Sequence, residues 1–262
     1  MSFENLTFEV RDGLARLTLN RPKAANSFNL NLAREFLETA TICAEDSAIR
    51  AVLLTGAGRM FCAGGDLKNF AAAEDQIPER VAETADTLHA AILKFVRMNA
   101  PIVAAVNGPA AGVGMSLVCM TDMALAAESA IFTMAYTAAG LAPDGSSTYF
   151  LPRIVGMRRA RELMLTNRKL SAAEAHAWGI VERVVPDDDL MAESENLARA
   201  LASGPTLAFG AVKKLLLSSQ NAQLEDQLDA ETSAIVAMTR TSDGREGVAA
   251  FREKRKPSFT GA

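Results

Sequence analysis

Residues 98–121 form a run of 24 positions with no Asp, Glu, Lys or Arg, and this run most restricts what the chain can become. About 20 apolar residues suffice to cross a bilayer. The run, however, contains Pro101, Asn107, Gly108, Pro109, Gly112 and Gly114. It reads as two short apolar pieces around a polar Gly/Pro joint, whose backbone groups would go unpaired in lipid. The alternative is a protein interior, where charge is costly: a buried strand over 102–106, a loop, and a helix behind it. No membrane association is expected.

The chain is long enough to build that interior. Its 262 residues suit one large domain or one domain with an appendage. Apolar residues make up 49% and charged residues 22%, a globular balance. The net charge of −4 offers no basic face, so nucleic acid is not an expected partner. Cys43, Cys62 and Cys119 are too few, and oddly numbered, for a disulfide framework, which points to a reducing, cytoplasmic setting. The opening MSFENLTFEV shows no apolar or Arg-rich leader, so no targeting segment is expected.

Periodicity places the elements. Residues 6–10 and 14–19 read as a hairpin around Arg11-Asp12-Gly13. A helix is predicted from about Asn29, with Leu30, Ala33, Leu37, Ala40 and Ala44 at helical spacing. Residues 51–54 and 102–106 are short apolar runs typical of strands buried on both faces. Residues 123–127 and 131–132 are predicted as further strands, and 79–97 as a helix opened by Pro78. Beyond 170 the pattern turns helical, over 171–178, 189–203, 206–219 and 223–239. The fold class expected is α/β, with a core over residues 1–200 and a helical region over 201–262.

Most catalytic signatures are missing. His89 and His176 sit in no H-E-x-x-H pattern and the cysteines in no C-x-x-C, so no metal site is expected. Gly56-Ala57-Gly58 is followed by Arg59-Met60-Phe61, not by a phosphate-loop pattern. Gly114-Met115-Ser116-Leu117-Val118 lacks the last glycine of a serine-hydrolase elbow. Two glycine-bearing segments remain: Phe61-Cys62-Ala63-Gly64-Gly65-Asp66-Leu67, and Asn107 through Ser116. Loops leaving parallel strands lie at the ligand end of an α/β sheet. Two such loops side by side can aim two backbone N–H groups at one oxygen. Plain turn glycines give the same pattern.

Several motifs together carry a resemblance. They are Asn20-Arg21-Pro22, the segment 61–67, Pro101-Ile102-Val103-Ala104-Ala105-Val106-Asn107-Gly108, the stretch 170–185 with Glu174, Ala175, Gly179 and Val181, and Glu246-Gly247 through Phe259. With these the chain resembles the enoyl-CoA hydratase/isomerase family, the crotonase superfamily, nearly end to end. The resemblance implies a β/β/α spiral core, a C-terminal helical trimerisation region (homo-trimer or dimer of trimers), and an acyl-CoA thioester substrate. Coenzyme A would enter as part of that substrate, with no separate cofactor. The resemblance places an oxyanion hole on the backbone N–H groups of Ala63 and Val113, the latter where the family often has glycine. It places substrate binding at Lys23, Ala24 and Ala25, at Gly64, Gly65, Asp66 and Leu67, at Tyr136, and at Phe251 and Lys254.

The reaction turns on the acids and bases present. At the positions of the two hydratase glutamates the chain has Ser116 and Tyr136. A carboxylate remains at Asp144. By local pattern, Pro143-Asp144-Gly145-Ser146 reads as an aspartate capping the next helix. By resemblance, Asp144 matches the acid/base aspartate of dienoyl-CoA isomerases and of 1,2-epoxyphenylacetyl-CoA isomerases, the group most similar here. The leading expectation is an acyl-CoA isomerase with Asp144 as single acid/base. The alternatives are a hydratase with atypical residues, a non-catalytic acyl-CoA binder, and an enzyme similar to 4-chlorobenzoyl-CoA dehalogenases, with Asp144 as nucleophile and a histidine at the His89 position. The helix 78–97, with Ala82, Ala85, Ala90 and Ala91, is expected to line the acyl pocket.

Overall fold

A computed structural model of the chain describes residues 3–262; Met1 and Ser2, where the N-terminal reading begins, lie outside them. The chain opens with the hairpin of β1 (Leu6–Arg11) and β2 (Leu14–Leu19), closed by the two-residue turn Asp12-Gly13. Then come α1 (Leu30–Glu45), β3 (Ala51–Gly56), α2 (Leu67–Ala71) and α3 (Ile77–Arg97). The Asn29 side chain caps α1 by accepting from Leu32 N–H at 3.0 Å, as an asparagine before an apolar-periodic run should.

The uncharged run resolves into β4 (Ile102–Val106), β5 (Ala110–Ala111) and α4 (Val113–Met120). All residues of β4 and α4 are buried, which explains the exclusion of charge. No helix among the described residues is long and apolar enough to cross a membrane. The chain continues through β6 (Met123–Ala127), β7 (Ile131–Thr133), α5 (Ser147–Val155), α6 (Met157–Thr166), β8 (Leu170–Ser171), α7 (Ala172–Ala177), β9 (Arg183–Val185) and α8 (Leu190–Ala202). Three helices end it: α9 (Thr206–Ser219), α10 (Leu224–Thr239) and α11 (Ser242–Glu253).

The main sheet has the order β1-β2-β3-β4-β6-β9, parallel everywhere except in the hairpin. A small sheet, β5-β7-β8, stands beside it. One face of the main sheet, with Leu17, Val52, Leu54, Ala104 and Val106, packs on α1, α3 and α4. There Phe36 meets Phe28 edge-on at 5.5 Å and Phe95 at 5.0 Å. The other face, with Leu53, Val103, Ala105 and Leu125, is covered by α8. Burial on both faces is why these strands read as continuous apolar runs. The strands β5, β8 and β9 have two or three residues each, too few for a period of two to show.

Candidate active site

The site forms where the loops after β3 and β4 meet. Asn107 stitches them: its Oδ1 accepts from Gly56 N–H at 3.1 Å, and its Nδ2 donates to Gly58 O at 2.9 Å. Cys62 then pairs with Ala110 in a parallel bridge that joins the two loops. Gly64 is held at φ +104°, and a Cβ there would lie 3.1 Å from Ala111 O. Only glycine allows both that backbone and that approach. Beneath the loops, fully buried Asn26 accepts from Arg21 N–H at 2.9 Å and donates to Ala57 O at 2.9 Å and Met60 O at 2.7 Å. It fastens the segment 21–27 to the loop after β3.

The donor geometry corrects the choice of Ala63. Its N–H is already spent on Ala25 O at 3.0 Å, so it cannot also bind a substrate oxygen. Two residues on, Phe28 forms a parallel bridge opposite Gly65: Phe28 N–H donates to Gly64 O and Asp66 N–H to Phe28 O, both at 2.8 Å. That pattern turns the peptide N–H of Gly65 the other way, and it donates to nothing among the described residues. Val113 opens α4, and a first-turn N–H has no partner inside its helix. Gly65 and Val113 line the same cavity.

That cavity has a volume of about 380 Å³. Its walls are mainly apolar: Phe28, Phe70, Leu88 and Leu141 among others. From α3 come Val81, Thr84, Ala85 and Leu88, one helical face at i, i+3, i+4 and i+7. Of the small α3 residues Ala82, Ala85, Ala90 and Ala91, Ala85 lines the cavity and Ala91 is in the core. Asp144 is the one carboxylate among the lining residues.

Asp144 does not cap a helix, which corrects that local reading. The N-cap of α5 is Ser146, with no side-chain cap bond. The Asp144 carbonyl accepts from Ser147 N–H at 3.2 Å and Ser147 Oγ at 2.9 Å, leaving the carboxylate to face the cavity. Tyr136 Oη donates to Asp144 Oδ1 at 2.7 Å, and Ser116 Oγ lies 3.0 Å from Tyr136 Oη. His89 Nε2 is 3.8 Å from Asp144 Oδ2 and accepts from Gly145 N–H at 3.2 Å. Burial, and then the negative charge of Asp144, push the Tyr136 hydroxyl well above its ordinary range, so it stays a proton donor. Burial pushes the Cys62 thiol up to about 12, which removes it as a nucleophile.

The other expected positions divide. Leu67 lines the cavity. The Asp66 carboxylate is spent: Oδ2 accepts from Arg21 Nη2 at 3.0 Å and Oδ1 caps α2 through Asn69 N–H at 3.1 Å. It holds the loop and is not free for a ligand. Lys23 and Ala24 lie in a one-turn 3-10 helix, Pro22–Ala24, with Lys23 exposed. Phe251 lies on α11 and Lys254 at its C-terminal cap, and α11 contributes no residue to the cavity. The apolar walls Phe28 and Phe70 were not foreseen; both follow directly in chain or in space from the glycine segment.

Residues 9–262 match the family model described as enoyl-CoA hydratase/isomerase. The chain belongs to the enoyl-CoA hydratase/isomerase family. It is 39% identical to the 1,2-epoxyphenylacetyl-CoA isomerase of Escherichia coli K12, over 98% of this chain and 99% of that protein. It is 36% identical to 4-chlorobenzoyl coenzyme A dehalogenase-2 of an Arthrobacter species, over 98% and 94% respectively. The crystal structure of enoyl-CoA hydratase from Bacillus anthracis superposes with a TM-score of 0.92 at 34% identity, covering 99% of this chain and 100% of that one. The fold is therefore the crotonase fold, and members of the family with three different activity names are all similar to this chain.

Proposed function

We propose that the protein is an acyl-CoA isomerase in which Asp144 is the single acid/base. The observation that carries this is the cavity's one carboxylate, with Ser116 and Tyr136 occupying the positions where the family's hydratases keep glutamates. The thioester carbonyl binds between the N–H groups of Gly65 and Val113. Two preorganised donors there favour the enolate over the ground-state carbonyl. Asp144 takes a carbon-bound proton adjacent to the polarised system. The electron pair moves into the enolate oxygen, and Asp144 returns the proton at another carbon. Hydration asks for a second group to activate water, and no second carboxylate lines the cavity. Coenzyme A is part of the substrate, extending past Ala25 and the segment 63–67.

The proximity of His89 to Asp144 supports a second reading, in which Asp144 attacks the chlorine-bearing ring carbon of a 4-chlorobenzoyl thioester, chloride leaves, and water hydrolyses the resulting aryl ester to regenerate the carboxylate. Exposed Leu216, Leu228, Ile235 and Phe251 on α9, α10 and α11 support assembly into a trimer or dimer of trimers. A panel of CoA thioesters tests the function. Double-bond or ring isomerisation is expected. Hydration, chloride release from 4-chlorobenzoyl-CoA, or binding without turnover would each replace the proposal.

A further inference from the structure

The hydroxyls of Ser116 and Tyr136 form a chain that ends on Asp144. Ser116 Oγ to Tyr136 Oη is 3.0 Å, and Tyr136 Oη to Asp144 Oδ1 is 2.7 Å. An ionised carboxylate only accepts, so the single phenolic proton lies on the Tyr136–Asp144 bond. Tyr136 Oη then has a lone pair open to Ser116. The Ser116 proton has two other acceptors, Gly112 O and Asp144 O, both at 3.1 Å. Donation to Tyr136 Oη ties α4 to the phenol and donation to Asp144 O ties it to the Asp144 loop, whereas Gly112 O lies at the start of α4 itself. Ser116 is fully buried, so no solvent competes for these bonds.

The loop is shaped to rest on this pair. Gly145 has φ +60°, and a Cβ there would sit 3.1 Å from Ser116 Cβ. A side chain at 145, or a longer one at 116, would lift the carboxylate off Tyr136. With Oδ1 held, Oδ2 is the oxygen left free, and His89 Nε2 on α3 lies 3.8 Å from it. The His89 Nε2 lone pair is turned to Gly145 N–H.

Resting on the reading of Asp144 as the base, we propose that Ser116 and Tyr136 form a two-hydroxyl relay that holds Asp144 by Oδ1 and leaves Oδ2 as its proton-transferring oxygen. Tyr136 is the positioning residue and Ser116 polarises it. Chains of hydroxyl donors strengthen one another in a low-dielectric site. The two positions used for glutamates in hydratases thus serve a different carboxylate in this chain.

The test uses the full chain with trans-3-hexenoyl-CoA as probe, followed as formation of the 2-enoyl thioester across pH. Tyr136→Phe removes only the hydroxyl, and a bond to a charged group is lost, so kcat falls about tenfold to a hundredfold while KM stays within about twofold. A donor to the charged form of a carboxylate favours that form, so its removal moves the acid limb of the profile to higher pH. Ser116→Ala shifts both in the same direction by less. The profile repeated in His89→Gln gives the same comparison without the imidazole. Unchanged kcat and acid limb in Tyr136→Phe overturn the relay, as does a rise in KM with kcat preserved. If Tyr136→Phe fails to fold, an unmoved profile in Ser116→Ala overturns it instead. Asp144→Asn run in parallel separates the two ideas. An inactive Asp144→Asn with an unaltered Tyr136→Phe removes the relay alone, whereas an active Asp144→Asn removes the base and the relay together.

Discussion

Asn26 is the residue on which the substrate-facing loops depend most. It is fully buried, at φ +55°. Its amide fills three roles at once, accepting from Arg21 N–H and donating to Ala57 O and Met60 O. Asn26→Ala deletes these three bonds, worth about 3 kcal/mol together at about 1 kcal/mol each, along with a longer one from Nδ2 to Phe61 O at 3.3 Å. Alanine also takes the left-handed backbone less readily than asparagine, adding about 1 kcal/mol. A total near 4 kcal/mol corresponds to a melting temperature about 8–16 °C lower for a chain of this size. Asn26→Asp keeps the acceptor for Arg21 but turns an anionic oxygen on two carbonyls, so it should be at least as damaging. Urea unfolding followed by far-UV circular dichroism gives the stabilities. KM for a CoA thioester should rise in either variant, because the segment 21–27 would no longer be fastened to the loop that carries Gly65. An Asn26→Ala protein within about 1 kcal/mol of the parent, by the same net bond value, would show that these loops hold without the amide.

Three further outcomes follow from other parts of the fold. Lys213 on α9 is nearly buried, and its Nζ meets Asp122 Oδ2 at 2.8 Å, Ala100 O at 3.1 Å and Phe95 O at 3.2 Å. Asp122→Ala strands that ammonium and should cost about 3 kcal/mol in urea unfolding, whereas the charge-free pair Asp122→Leu with Lys213→Met should cost much less; equal losses would refute the stranded-charge account. Burial pushes Cys43, Cys62 and Cys119 up to about 12, so a thiol reagent should label none in the native protein at neutral pH and all three in urea. Rapid native labelling would contradict their burial. The Arg255 guanidinium and the Ser258 N–H hold the half-buried Glu246 carboxyl down from 4.5 to about 2. A lowered carboxylate stabilises the fold above its unfolded pKa and loses that effect as pH falls through the folded one. The difference in melting temperature between the parent and Glu246→Gln should therefore be constant above about pH 5 and shrink toward pH 2; a difference that grows on acidification would reverse the sign.

Much of the fold was legible because its strands are buried on both faces and its helices carry one apolar stripe. The hairpin turn, the start of α1 near Asn29 and the division of the uncharged run follow from local chemistry alone. The small sheet does not: β5 and β8 are two residues long and exist only because distant backbone aligns them. The same limit explains Ala63. Adjacent peptides in 61–67 are alike in sequence, and which N–H is free depends on Ala25 and Phe28, in a different segment. The Asp144 motif also suits a helix cap in sequence, and it is Tyr136, brought in by another element, whose hydroxyl holds the carboxylate by Oδ1. Composition could not show that the Asp66 carboxylate is consumed by Arg21.

The most direct measurement compares Asp144→Asn with the parent protein on a 3-enoyl thioester such as trans-3-hexenoyl-CoA, with calorimetry of a non-isomerisable acyl-CoA on both. Isomerisation should be lost in Asp144→Asn while thioester affinity is kept, because the amide cannot take a proton but the Gly65 and Val113 donors remain. Parent-level turnover by Asp144→Asn would contradict the single-carboxylate account.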